Sequence, residues 1–209
     1  MGKGEMTYDF GDGSPVHTRG PVQQIAHGRA FYPLDPRPQD IFIEDIAESL
    51  SKICRFIGHT REFYSVAQHS VMVSRIVAGL APEHARWGLL HDAAEAYIGD
   101  ITRPVKKALD MAVPGALAWV EERIQRAIAE RFGLPWPMPA IVHGADMIAV
   151  ATEKRDLLWP SDLDWGVLPP PVPDKIYPLA PAEARDRFLD LFTSLSHGSI
   201  ARGQAPPPR

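Results

Sequence analysis

Twenty-one prolines in 209 residues, about twice the usual share, fall in clusters, and the stretches between them are spaced like helices. The clusters are Pro33, Pro36 and Pro38; Pro135, Pro137 and Pro139; Pro169 to Pro173; and Pro206 to Pro208. A helix interior rejects proline, whose ring removes a backbone donor and clashes with the preceding turn. Apolar residues at three- and four-residue spacing between such breaks therefore dictate a set of discrete helices. No strand-like alternation stands outside the first 45 residues.

Ile43, Ile46, Leu50, Ile53 and Ile57 form one stripe of a first helix. Ser65 and Gln68 make a Ser-x-x-Gln capping box ahead of Val66, Val73, Ile76, Val77 and Leu80. Pro82 suits the first turn of a third helix, which carries Leu89, Leu90, Ala93 and Ala94 and ends near Gly99. A short helix begins at Pro104. A long one runs from about Pro114 to Phe132 with Leu117, Val120, Ile124 and Ile128 inward and Gly133 as its stop. Another starts near Pro139, with Ile141, Ala145, Ile148, Ala149 and Thr152 inward. The last follows Pro181 with Phe188, Leu191, Phe192 and Leu195.

This pattern predicts an all-α domain of about six helices over residues 31–197. Before it lies an irregular segment, 1–30, and after it a disordered tail, 198–209. Residues 160–178 are an acidic, Pro-rich excursion of the length expected for a functional cover or a wrapped spacer. The net charge of −4, from 26 acids and 22 bases, leaves no footprint for nucleic-acid binding. No apolar run reaches membrane-spanning length, and no secretory pattern opens the chain. A single Cys54 excludes a disulfide framework and a Cys-rich zinc module, and points to a reducing cytoplasm.

The chemistry-bearing side chains crowd the middle of the chain. His91-Asp92 sits in an apolar run between Leu90 and Ala93, where polar groups must be satisfied or destabilise the core. Taken alone, such a pair reads as a core histidine on a backbone carbonyl beside a solvent-facing Asp. Glu95 projects from the same side of the helix, three residues after Asp92, and the two like charges repel unless a cation or a shared proton relieves them. Asp100 follows Gly99 at the expected helix end. His69 lies in the first turns of the preceding helix, and Asp146 in the apolar stretch 145–150. His69, His91, Asp92 and Asp146 form a mixed N/O ligand set suited to one divalent metal: Mn, Fe, Co, Ni, Zn or, more weakly, Mg.

With that set in place, the sequence resembles the HD-domain metal-dependent phosphohydrolases. In that family one helix gives a His, the next an adjacent His-Asp, and a later one an Asp. The stretch Gly88-Leu-Leu-His-Asp-Ala-Ala-Glu95, followed by Gly99-Asp-Ile-Thr-Arg-Pro-Val-Lys106, is similar to the small bacterial 5'-deoxynucleotidase branch. The stretches 43–55 and 64–70 are also similar to phage and bacterial HD proteins that act on deoxynucleoside triphosphates, including a dATP triphosphohydrolase. The likeness covers roughly residues 30–160.

The resemblance implies an HD helical bundle and a cytoplasmic, homo-oligomeric enzyme, a dimer first, that takes a small nucleotide and no membrane or nucleic acid. His69, His91, Asp92 and Asp146 would hold the metal. Glu95 would orient or deprotonate the attacking water, or protonate the leaving oxygen. Arg55 would orient the phosphate, its alternative being a helix C-terminal Arg favoured by the dipole. Asp100 would bond the sugar 3'-hydroxyl. Phe56 stands where the branch has Trp, which puts a sugar-side contact in question. Arg103 and Lys106, with His59, Arg61 and Lys107, surround the cleft in sequence and could hold further phosphates. His84 and His143 read as helix-surface residues or local hydrogen-bond partners; Trp87, Trp119, Trp136, Trp159 and Trp165 read as core or interface rather than base-stacking platforms. Monophosphate hydrolysis leads, with a dNTP triphosphohydrolase and an inactive HD binding or signalling module as alternatives.

Overall fold

The computed structural model describes residues 18–202, with side chains through residue 196. It is mostly helical, 60% helix against 3% strand. A short antiparallel hairpin, β1 (Gln23–Gln24) with β2 (Ala30–Phe31), precedes α1 (Ile43–Leu50), α2 (Val66–Leu80), α3 (Ala85–Leu90) and α4 (Glu95–Ile98). Then come α5 (Arg103–Ala112), α6 (Ala116–Phe132), α7 (Ala140–Leu157) and α8 (Pro181–Arg202). Among the described residues no helix is long and apolar enough to cross a membrane.

The organising element is α2. Val66, Ala67, His69, Ser70, Val71, Val73, Ser74 and Val77 are all buried, so the helix is covered on nearly every side, with α3, α7 and α8 packed around it. Its start is fixed by Ser65, whose Oγ accepts the Gln68 amide at 3.2 Å. The Gln68 side chain does not complete the box; it bonds Tyr177 O and Leu179 N instead. A Cβ on Gly88 of α3 would meet Ser74 Cα at 2.8 Å, so only glycine lets α3 lie this close. Ser74 Oγ adds a bond to Ala85 O at 2.8 Å. This contact brings His91, at the end of α3, to His69. One core gathers Ile46, Leu50, Leu89, Leu90, Ile124, Ile128 and Phe188; a second joins Val73, Val77, Trp87, Val142, Ala145 and Ala149.

Several sequence expectations need correction. The first helix stops at Leu50, and Ile57 is 53% exposed. The chain leaves the helix because Ile53 O and the Arg55 amide pair with Val66 N and Tyr64 O, a long-range bridge that spacing cannot reveal. The third helix breaks after Leu90: Ala93, Glu95, Ala96 and Tyr97 each donate to the residue three before, the tighter 3-10 arrangement. On α7 it is Val142 that is buried, while Ile141 is exposed. Trp87 is core, within the expectation of core or interface; the other four tryptophans are at least 37% exposed.

The described part of the N-terminal segment is short in regular structure but tied to the domain by ion pairs. Arg19 Nε bonds Asp35 at 2.7 Å, and Arg29 bonds the buried Asp45 at 2.8 Å. The polar composition there serves ion pairs that fasten the hairpin to the entry of α1. Helix α8 continues to Arg202, past the expected boundary at 197; residues 1–17 and 203–209 lie outside the described residues. Within the Pro-rich excursion, Thr152, Asp156 and Gln68 bind the backbone of Val172, Ile176 and Leu179, so its second half is a wrapped spacer. Residues 161–167 are exposed throughout.

Candidate metal centre

Two helices and the turn after a third bring four side chains together. Helix α2 gives His69, fully buried; the tight turn after α3 gives His91 and Asp92; α7 gives Asp146. His69 Nε2 lies 3.2 Å from His91 Nε2, 3.4 Å from Asp92 Oδ2 and 3.3 Å from Asp146 Oδ1. His91 Nε2 is 3.1 Å from Asp92 Oδ2. His69, His91 and Asp92 each offer a ligand atom within 4.8 Å of the others. Asp146 joins them through His69 and also faces Arg103, 3.3 Å from its second oxygen.

The outer ring nitrogens decide what these atoms can do. His69 Nδ1 meets Glu153 Oε1 at 2.6 Å, and His91 Nδ1 meets Gly88 O at 2.9 Å. A carboxylate and a carbonyl only accept, so each Nδ1 carries a hydrogen. The two Nε2 atoms face each other and Asp92, and that of His69 also faces Asp146. Acceptors crowded in this way require a cation or a proton between them. Burial and Arg55 push the His69 pKa down, but Glu153, Asp146 and Asp92 outweigh them and raise it well above the usual value. Burial opposes ionisation of Asp146, yet His69 holds its pKa down to about 2. Burial likewise opposes ionisation of Asp92, whose pKa His91 and His69 hold well below the carboxylate range. The same anionic charge that favours a proton on His69 would favour a divalent cation in its place. The donor set fits such an ion.

Beside this point stands a second group. Arg55 is 8% exposed and lies 3.6 Å from Asp92, 3.6 Å from Asp100 and 3.4 Å from Glu153. It does not cap a helix; it sits in a 3-10 turn, Arg55–Gly58, after α1. Glu95 is 6% exposed and its Oε2 has no hydrogen-bond partner. Burial, then Asp92 and Asp100, raise its pKa well above the usual value. Burial raises the Asp100 pKa too, against the pull of Arg55. The tightened turn after α3 eclipses residues three apart, which puts Glu95 over Asp92.

The outer basic residues divide. Lys106 pairs with Glu121 at 2.7 Å, and Arg61 donates to Asp156 O. His59 and Lys107 are exposed, as is His143; His84 is half-buried. Arg103 alone of these touches the cluster. Phe56 is half-buried, its ring 5.3 Å from the Arg55 guanidinium carbon.

Glu153 is the site residue that sequence reading missed. It is fully buried and binds both His69 and Arg55. The signal was its position seven residues after Asp146, two helical turns on, which puts both carboxylates on one face of α7.

No family model matches the chain. The uncharacterized protein YfdR of Escherichia coli K12 is 43% identical over 172 residues, which is 81% of this chain and 92% of YfdR. The uncharacterized protein RCAP_rcc00048 of Rhodobacter capsulatus is 37% identical over 145 residues, 65% of this chain and 72% of that protein. The chain is thus a mostly helical protein with a candidate N/O metal centre, and it belongs to the family of YfdR.

Proposed function

We propose that this protein is a divalent-metal-dependent phosphohydrolase of the HD type that acts on deoxynucleotides, with 5'-deoxynucleoside monophosphates as its leading substrates. The observation that carries the reading is the cluster of His69, His91 and Asp92, with Asp146 against His69 and both rings held from behind by Glu153 and Gly88. His69, His91, Asp92 and Asp146 would hold the ion. When bound, it supplies charge neutralisation at the phosphate oxygens and a lowered pKa of water.

The protein's own groups perform the remaining tasks. Arg55 offers a planar fork to two phosphate oxygens, held in place by Asp92, Asp100 and Glu153. Burial and two neighbouring carboxylates disfavour the charged form of Glu95, which suits it to pass a proton to the leaving oxygen. Asp100 accepts from the sugar 3'-hydroxyl. The monophosphate is favoured because Lys106 and Arg61, the bases that a longer phosphate chain would draw on, are engaged with Glu121 and Asp156. Arg103, with a side chain 61% exposed beside Asp146, is the observation that keeps the triphosphohydrolase as a second reading.

The test is turnover of purified protein loaded in turn with Mn, Co, Fe, Ni, Zn and Mg, against deoxynucleoside mono-, di- and triphosphates. Release of nucleoside and inorganic phosphate from a monophosphate supports the leading reading. Inorganic triphosphate from a dNTP, with no monophosphate turnover, supports the second. Metal binding with no turnover of any nucleotide returns the protein to a binding or signalling role.

A further inference from the structure

The Pro-rich excursion brings an aromatic ring to the mouth of the centre. Trp165 lies 6.2 Å from Phe56, ring to ring, and the planes are tilted by 57°, so neither ring covers the other. Lys154, the residue after Glu153, places its ammonium 5.2 Å from the Trp165 ring centre. A continuous line therefore runs from Asp92 through Arg55 and Phe56 to Trp165. The backbone under Phe56 is unusual: Phe56, Ile57 and Gly58 have φ of 54°, 53° and 78°. Left-handed geometry is costly for a bulky residue and more so for β-branched Ile57. Such strain persists only where the surroundings enforce it, and it gathers at ligand sites. Here the turn is fastened at both ends, by Arg55 N to Tyr64 O and by Arg61 N to Leu157 O. The result aims Phe56 toward the excursion instead of into the core.

Trp165 leaves part of its ring open to solvent. It is 37% exposed, Trp159 and Leu163 beside it are 69% and 73% exposed, and Val167 is fully exposed. Among the described residues, the hydrogen bonds that fasten the excursion to α7 begin at Val172. A large, flat, half-open aromatic pair next to a phosphate-orienting Arg matches the chemistry of a nucleobase, which offers a π-face to stack. We propose that Trp165, paired with Phe56, forms the base subsite of this centre and gives the protein its preference for a nucleotide over a bare sugar phosphate. This rests on the reading of the centre as a nucleotide site.

The test is calorimetric titration of the Mn-loaded protein with 2'-deoxyadenosine 5'-monophosphate and with base-free 2-deoxyribose 5-phosphate, for the wild type, Trp165→Ala and Trp165→Phe. Trp165→Ala should weaken nucleotide binding about tenfold, the usual scale for a lost base–aromatic stack, and leave the sugar phosphate within about twofold. Trp165→Phe should keep most of the nucleotide affinity, since it keeps a ring. Equal loss on both ligands, no loss on either, or a wild type that binds the nucleotide no better than the sugar phosphate would overturn the subsite. Monophosphate turnover combined with such a result sinks the subsite and leaves the hydrolase standing. Selective nucleotide binding without turnover does the reverse.

Discussion

Glu153 holds His69 from behind: the carboxylate and the ring lie 2.6 Å apart, both fully buried. The pair sets the His69 tautomer, and through Arg55, 3.4 Å from the same carboxylate, it ties the His-Asp cluster to the guanidinium proposed to orient phosphate. Burial disfavours the charged carboxyl, but His69 and Arg55 keep its pKa below the ordinary Glu value. A ligand histidine depends on such a partner for orientation and basicity.

Replacement of Glu153 by Gln keeps the size and an acceptor but removes the charge. Metal affinity should fall by about 10- to 100-fold, the usual effect of losing a partner behind a ligating histidine. Competition with a chelator of known affinity measures this. Glu153→Ala should in addition lower the melting temperature, because it leaves Arg55 short of a buried counter-charge. Unchanged metal affinity in Glu153→Gln would reduce the carboxylate to a packing role.

One metal ion per chain is expected at His69, His91, Asp92 and Asp146. Elemental analysis of the wild type and of each Ala variant decides it, and anomalous scattering places the ion. Asp146 should be the most tolerant position, because Arg103 shares its carboxylate. Full metal content in His91→Ala or Asp92→Ala would remove the cluster as a metal centre.

Much of this arrangement was legible in the sequence, and the part that was not shares one cause. The Ser65 cap, the Gly133 stop and the run of α7 past Asp146 are local, set by a few neighbouring residues, and they appear in the fold. The end of α1 is not local. Ile53 and Ile57 continue its apolar spacing, and only the pairing with Tyr64 and Val66 pulls the chain away. Glu153 draws no attention in the sequence, because its partners His69 and Arg55 lie on other elements. Trp165 reads as core or interface; its half-open place depends on where the excursion is fastened. Each missed feature needed the partner across space.

Gly88 sets the distance between the two histidine-bearing segments. Gly88→Ala would drive a methyl into Ser74 Cα, 2.8 Å away, and backbone on backbone has no rotamer by which to yield. Overpacking of this kind costs about 1–3 kcal/mol. The melting temperature should drop, and metal affinity should drop with it, because His91 moves with α3. Differential scanning calorimetry and a metal titration report the two effects. A variant as stable as the wild type would mean that α3 can retreat without strain.

Glu95 is expected to act on rate and, without metal, on stability. Glu95→Gln should lower turnover by about 10²–10⁴, the usual scale for a lost acid or base, with metal content retained. In the metal-free protein its pKa is raised, mainly by burial and by Asp92 and Asp100. The folded state therefore binds this proton more tightly than the unfolded chain. That contribution is complete below the unfolded pKa of Glu and is lost as pH rises toward the raised folded value. Glu95→Gln removes this loss, so in chelator its stability relative to wild type should grow as pH climbs from about 4.5. Parallel pH–stability curves would show that Glu95 is not held protonated.

Arg55 has two jobs, and they can be separated. It neutralises Asp92, Asp100 and Glu153 in a buried site, and it is proposed to orient phosphate. Arg55→Ala leaves those carboxylates uncompensated, so the protein should be destabilised by about 3–5 kcal/mol, as when one partner of a buried pair is removed. Turnover measured on that variant alone would mix both effects. Arg55→Lys keeps the charge but replaces the planar fork with a point donor. Stability should return in large part. KM should stay raised and kcat lowered, because orientation is needed in the ground state and in the transition state alike. If Arg55→Lys recovers stability and full turnover together, charge alone is what the site requires. If it recovers stability only, the two-point hold on phosphate is the function of Arg55.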